Sequence, residues 1–278
     1  MEDLPDESKF NNPKAFAEIK YRVFENINEW YDINFPELGN RTPRDIINSI
    51  QTLNDAVFSL RFAFENCDDD IPQVLKERFE TFGDEAIEQL ENIAFNSKWE
   101  GRPEEEEPDL LLIRSNGALK LLGEYKSVSS ACAIITKFCD TKSPDEFIAD
   151  AVKEYFTAIG GEGVPILLDT LNSLCDFENE FTQPYEYLLI SLTSLGINNR
   201  IDEIYLCIRN CFNKMKNKTI PAICIGDYGD PRGIALLKGY IERNKNDLER
   251  QFFYEALSSI KRLGGQTEDI EDPFRDFA

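Results

Sequence analysis

Five stretches in the last two-thirds of the chain end in the same way: ALKLLG (118–123), YFTAIG (155–160), SLTSLG (191–196), CIGDYG (224–229) and SIKRLG (259–264). Aligned on the final glycines Gly123, Gly160, Gly196, Gly229 and Gly264, they are spaced by 37, 36, 33 and 35 residues. One position before each glycine stands a large apolar residue: Leu122, Ile159, Leu195, Tyr228 or Leu263. Four positions before stand Leu119, Phe156, Leu192, Ile225 and Ile260. A self-similar period of this length is the mark of stacked helical units, because one helix pair cannot bury both of its apolar stripes without a neighbour.

At 100° per residue, positions 1, 4, 5 and 8 before the glycine fall on one side of a helix, and this side is expected to be buried. Position 5 holds Ala118, Tyr155, Ser191, Cys224 and Ser259, four of them small, which lets a neighbouring helix come close. The glycine is expected to supply the left-handed residue that closes each helix. Positions 3, 6 and 10 point the other way. They form three rows: Lys120, Thr157, Thr193, Gly226 and Lys261; Gly117, Glu154, Ile190, Ile223 and Ser258; Ile113, Asp150, Glu186, Thr219 and Tyr254.

The rest of the chain falls around these helices. Residues 1–12 read as an acidic start, and a helical pattern runs from Asn12-Pro13 to about Trp30 on Phe16, Ile19, Val23 and Ile27. Thr42-Pro43 opens another helix, with Thr42 as cap, Pro43 in the first turn and Asp45 where the dipole favours an anion; its apolar positions continue to Phe64. Asp68-Asp69-Asp70 before Pro72 is a charged helix start, since the glycine and distal glutamate of a calcium loop are missing. Phe82-Gly83-Asp84 resembles a degenerate repeat ending 40 residues before Gly123, and GRPEEEEPD (101–109) is an acidic linker. Beyond it, glycine-ended helices are predicted over 110–122, 144–159, 183–195, 218–228 and 249–263, alternating with partners over 129–139, 163–175, 199–214 and 231–244. Ser143-Pro144-Asp145-Glu146 is expected to form a capping box, and Asp230-Pro231 a helix start. The organisation is therefore an acidic helical region over 1–100, a linker over 101–109, repeats over 110–265 and a tail over 266–278, in an all-α chain.

Charge bears on the class of partner. The net charge is −22; residues 1–110 carry 27 acidic and 11 basic side chains, whereas residues 198–265 carry 8 and 12. A negative field opposes binding to nucleic acid and to anionic lipid, and favours partners with basic surfaces. No apolar run reaches the roughly 18 residues that span a membrane, and the acidic N-terminus is unlike a secretory signal. Seven cysteines without framework spacing, most of them on apolar helical faces as with Cys132, Cys175 and Cys224, read as reduced, buried thiols in a cytoplasmic protein. The chain holds no histidine, which removes the commonest general base, the usual serine and cysteine triads and most zinc sites. Cys207 and Cys211 share a helical face but lack further ligands, and Gly160-Gly161-Glu162-Gly163 lacks the lysine and hydroxyl of a phosphate loop. No catalytic, cofactor or metal residues emerge.

These units resemble HEAT-type repeats, in particular the short kind of phycobilisome-lyase-like proteins. GVPILLDTLNSL (163–174) is similar to the first-helix pattern of a proline, paired apolar residues and an aspartate; FTAIGG, LTSLGI and IKRLGG resemble the second-helix ending. The usual Val-Arg pair is replaced by Ile148-Ala149, Pro184-Tyr185 and Phe252-Phe253. The resemblance implies a right-handed α-α superhelix of stacked antiparallel pairs whose glycine-ended helices line a concave, partner-binding face. On that face an apolar centre at Ile190 and Ile223, flanked by Glu154, Glu186, Tyr254 and Lys261, suits a protein partner. The expected function is a non-catalytic scaffold or adaptor. Two alternatives stay open: a lyase or chaperone-like factor acting on a chromophore or its carrier, implied by the resemblance, and an acidic mimic of nucleic acid.

Overall fold

The computed structural model describes residues 29–67, 71–100, 110–176, 182–197 and 200–274. The expected helix over 13–30, the aspartates 68–70, the linker 101–109 and the last four residues therefore fall wholly or mainly outside the described residues. Thirteen α-helices are described, twelve of eight residues or more and one of six, and among the described residues there is no β-strand, only two isolated bridges. The chain is all-α. It divides into two compact units, one ending at Ala86 and one beginning at Ile87.

In the first unit, α1 (Pro43–Asn48) begins with a complete capping box: the Thr42 hydroxyl accepts from Asp45 N, and the Asp45 carboxylate accepts from Thr42 N. The apolar periodicity predicts one helix from here to Phe64. Instead α1 stops at Asn48, and α2 (Leu53–Asn66) starts afresh with Thr52 accepting from Asp55 N. The break is stabilised from outside, because the Ile50 carbonyl it frees accepts the Arg78 guanidinium through Nε at 2.8 Å and also through Nη2. Arg78 lies on α3 (Gln73–Glu80), on which both α1 and α2 pack, and Leu60, Phe64, Val74, Leu75 and Phe79 form the core between them. Gly83, at φ +60°, ends this run as the sequence predicts. On the outer side of α2, Phe58 and Phe62 stand exposed four residues apart.

The division between the units falls in the first turn of α4 (Asp84–Phe95). The second unit then runs α5 (Leu110–Glu124), α6 (Ala131–Asp140), α7 (Glu146–Ile159), α8 (Gly163–Asp176), α9 (Gln183–Gly196), α10 (Asp202–Lys214), α11 (Thr219–Tyr228), α12 (Arg232–Arg243) and α13 (Arg250–Arg262). These are the predicted elements, within three residues at each end. Packing is largely between near neighbours in sequence: α5 on α7, α7 on α9, α9 on α11 and α11 on α13, with α6 on α8 and α8 on α10 beside them.

The predicted stripe is the core of this unit. Of the twenty residues at positions 1, 4, 5 and 8 before the five glycines, eighteen are buried, and Leu195 and Leu263 are half-buried. The glycines themselves divide into two kinds. Gly160, Gly229 and Gly264 have positive φ and end their helices, as expected. Gly123 and Gly196 do not; they lie inside α5 and α9. Their role is close approach: a Cβ on Gly123 would lie 3.0 Å from the Tyr155 Cα, and one on Gly196 would lie 2.8 Å from the Tyr228 ring. One predicted cap is also corrected. Ser143 does not cap α7; Asp145 does, accepting from Phe147 N at 2.9 Å, while the Ser143 hydroxyl donates to the Gln183 side chain.

A closer approach to backbone is between α11 and α13, where a Cβ on Gly226 would meet the Ser259 hydroxyl, Cβ and Cα at 2.6, 2.7 and 2.9 Å. Backbone cannot yield there as a flexible side chain does, so Gly226→Ala is expected to lose about 1–3 kcal/mol in spite of alanine's better helix propensity. Gly161→Ala, where a Cβ meets nothing within 4 Å, is expected to change stability by less than about 1 kcal/mol. Urea unfolding of both variants checks the pair.

Candidate functional site

The residues singled out from sequence lie on α7, α9, α11 and α13, each of which packs on the next. Glu154 is exposed on α7 and pairs across to α5, 3.5 Å from Lys120 Nζ. Glu186 is half-buried in the first turn of α9. Its carboxylate accepts from the Asn217 amide at 2.9 Å, and burial lifts it above the usual carboxylate range while that hydrogen bond opposes the shift. Ile190 and Ile223 are half-buried on the packed neighbours α9 and α11. Lys261 is exposed near the end of α13.

Three of the residues expected in the open rows are not open. Thr193, Thr219 and Gly226 are buried. Thr193 turns its hydroxyl onto the Leu189 carbonyl within its own helix, and Gly226 lies against Ser259. The rows are open on α7 and at the end of α13 but close at these three positions on α9 and α11. Tyr254 is half-buried as well, because its hydroxyl donates to the Asp272 carboxylate at 3.1 Å and its ring meets Phe274. Asn217 and the chain after α13 are partners that helix periodicity does not reveal, since neither lies on a helix.

A second feature is an open cleft of about 690 Å³ lined by Phe95, Trp99, Glu100, Cys132, Thr136 and Lys137, among others. Lys137 sits at its edge, but its ammonium is committed: Nζ donates to the Phe95 and Ser97 carbonyls at 2.6 and 2.7 Å, and it lies 5.2 Å from the Trp99 ring centre. It satisfies the orphan carbonyls at the end of α4. Lys218 does the same for α10, donating to the Phe212, Asn213 and Met215 carbonyls at 2.7, 3.1 and 2.5 Å. Desolvation lowers the pKa of both lysines. Nothing in the sequence periodicity marks these two cations apart from the solvated ones.

The thiols are placed as packing groups. Cys207, Cys211 and Cys224 are buried, and desolvation pushes the Cys224 thiol up to about 12. Burial likewise raises Cys139 to about 11, with a hydrogen bond to Tyr185 pulling the other way. A thiolate nucleophile needs the opposite shift. Cys132, expected from its apolar helical face to be buried, is instead exposed on α6, and the Cys175 side chain falls outside those described. Among the described residues no cluster of three or more Cys, Asp or Glu could hold a metal ion, and no helix is long and apolar enough to cross a membrane. Comparison with protein-family models, curated proteins and solved structures finds no match to this chain.

Two outcomes follow from this geometry. In the native protein a disulfide-exchange reagent is expected to modify Cys132 rapidly, whereas Cys207, Cys211 and Cys224 react only on unfolding; mass mapping of labelled peptides before and after denaturant distinguishes them. Lys218→Met keeps the side-chain length but strands three carbonyls, and is expected to cost about 1–3 kcal/mol in denaturant unfolding.

Proposed function

We propose that the second unit is a HEAT-like α-solenoid that serves as a non-catalytic protein-binding scaffold, engaging a partner through the open sides of α7, α9, α11 and α13. The observation that carries this reading is the pair Ile190 and Ile223. Two branched apolar side chains on packed neighbouring helices stay half-buried rather than joining the core. Around them Glu154 and Lys261 are exposed and Glu186 is half-buried. An apolar centre with a charged rim is how protein-binding surfaces are composed. A surface held by packed helices is also ordered before binding, which reduces the entropic cost of association.

The net charge of −22 favours a partner with a basic surface. Such a partner would be steered by long-range attraction and held by the apolar centre, so salt would slow its association more than it hastens its release.

The test is affinity capture from cytoplasmic extract with the wild-type chain and with Ile190→Asp and Ile223→Asp, each shown by far-UV circular dichroism to be folded. A partner bound in stoichiometric amount by wild type and weakened about tenfold or more by either aspartate supports the reading. A captured set that both substitutions leave unchanged overturns it.

A further inference from the structure

After α13 the described chain, to residue 274, runs back against α12 and α13. Gly264, at φ +82°, turns it back, and Gly265 N donates to the Ile260 carbonyl; among the described residues this is the last backbone bond to α13. From there the contacts are made by side chains. The Asp269 carboxylate accepts from Lys238 Nζ on α12 at 2.9 and 3.0 Å. The Asp272 carboxylate accepts from the Tyr254 hydroxyl on α13 at 3.1 and 3.4 Å, and its Oδ1 also accepts from Phe274 N at 2.8 Å. That local turn presents the Phe274 ring 5.8 Å from Phe253 and 6.2 Å from Tyr254, with the Arg250 guanidinium 5.7 Å from its centre.

The two sides are complementary in charge. Residues 198–265 carry 12 basic and 8 acidic side chains, a net of +4; residues 266–278 carry Arg275 against Glu268, Asp269, Glu271, Asp272 and Asp276, a net of −4. In a chain of net −22 the stretch 198–265 is net positive, and residues 269–274 lie against two of its basic side chains, Lys238 and Arg250. The attachment is nevertheless light. Among the described residues it includes one exposed ion pair, Lys238–Asp269, of a kind worth about 0–1 kcal/mol, the Tyr254–Asp272 hydrogen bond and the Phe274 ring against Phe253. Such a contact is formed because the tether supplies a high local concentration, on the order of 1 mM for a short flexible link. It has the form of a bound peptide that happens to be covalently attached.

We propose that the face formed by Lys238, Arg250, Phe253 and Tyr254 is a peptide-binding site for segments of the pattern Asp-x-x-Asp-x-Phe, and that Asp269–Phe274 is its resident, displaceable ligand. The upstream aspartate pairs with Lys238, the second with the Tyr254 hydroxyl, and the phenylalanine seats on Phe253 and Tyr254 beneath Arg250. A partner carrying the same pattern competes with the chain's own end. The proposal goes beyond the scaffold reading and does not need the Ile190–Ile223 surface.

The test uses the full chain and a fluorescent peptide of residues 266–278. Asp272→Ala/Phe274→Ala empties the site in cis, and this variant is expected to bind the peptide about tenfold or more tightly than wild type, as measured by anisotropy. Asp269→Ala, which leaves the aromatic contacts in place, gives a smaller gain in the same direction. Adding Arg250→Ala and Tyr254→Phe to the emptied chain, with its far-UV spectrum unchanged, is expected to abolish the gain, and raising salt is expected to weaken binding. Equal binding to wild type and the emptied chain overturns the proposal, as does binding that survives loss of Arg250 and the Tyr254 hydroxyl. Ile190→Asp in the emptied chain should leave peptide binding unchanged, so failure of the scaffold surface and failure of this site are read separately.

Discussion

The second unit depends on how closely its alternate helices approach, and small residues set that distance. Gly123 lies against the Tyr155 backbone, Gly196 against the Tyr228 ring and Gly226 against Ser259. At each of these places a methyl group would push two helices apart, and because α5, α7, α9, α11 and α13 pack in succession, the displacement would not stay local. Large apolar groups fill the volume on either side: Tyr155, Phe156, Tyr228 and Phe253 are all almost completely buried. The pattern of small contact and large flank is how close-packed interiors avoid both voids and strain. It also explains why Thr193, Thr219 and Gly226, which face away from the stripe on a helical wheel, are buried. When helices come this close the covered sector widens, and residues at its margin lose their exposure.

Close packing creates a second demand, because helix ends brought near the core carry carbonyls that water reaches poorly. Gly229 and Gly264 meet it by turning the chain in the left-handed region. The ends of α4 and α10 have no such glycine. Lys137 and Lys218 meet it there by donating to two and three carbonyls, under the rings of Trp99 and of Phe212 and Tyr240. Arg78 does the same for the interrupted helix of the first unit. In a chain with only 30 basic residues against 52 acidic ones, several cations are thus spent on the backbone rather than on a surface.

This division explains what was legible in the sequence. Helix positions and the buried stripe follow from a period of about 35 residues and from apolar spacing, which are local properties, and both were readable. Caps were partly so: Thr42 and Asp45 are three apart and satisfy one another. Ser143 and Asp145 competed for one helix start two residues apart, and pattern alone favoured the wrong one. The break at Ser49–Thr52 was hidden because its stabilising partner, Arg78, is 28 residues away. The candidate surface was legible to the same degree. Glu154 and Lys261 are exposed as a helical wheel places them, whereas the state of Glu186 depends on Asn217 and that of Tyr254 on Asp272, residues on no helix at all.

The end of the chain is where these constraints meet. Here α12 and α13 are met by the acidic segment Asp269–Phe274, held by Lys238, by the Tyr254 hydroxyl and by the Phe274 ring against Phe253. A permanent cover would be expected to bury apolar residues at several positions and to continue the backbone hydrogen bonding. This one anchors through Phe274 and relies on charge of opposite sign, the combination that exchanges readily with a competing segment. Of the basic side chains in residues 198–265, Lys238 and Arg250 are the ones shown against this segment, so the complementarity is local to α12 and the start of α13.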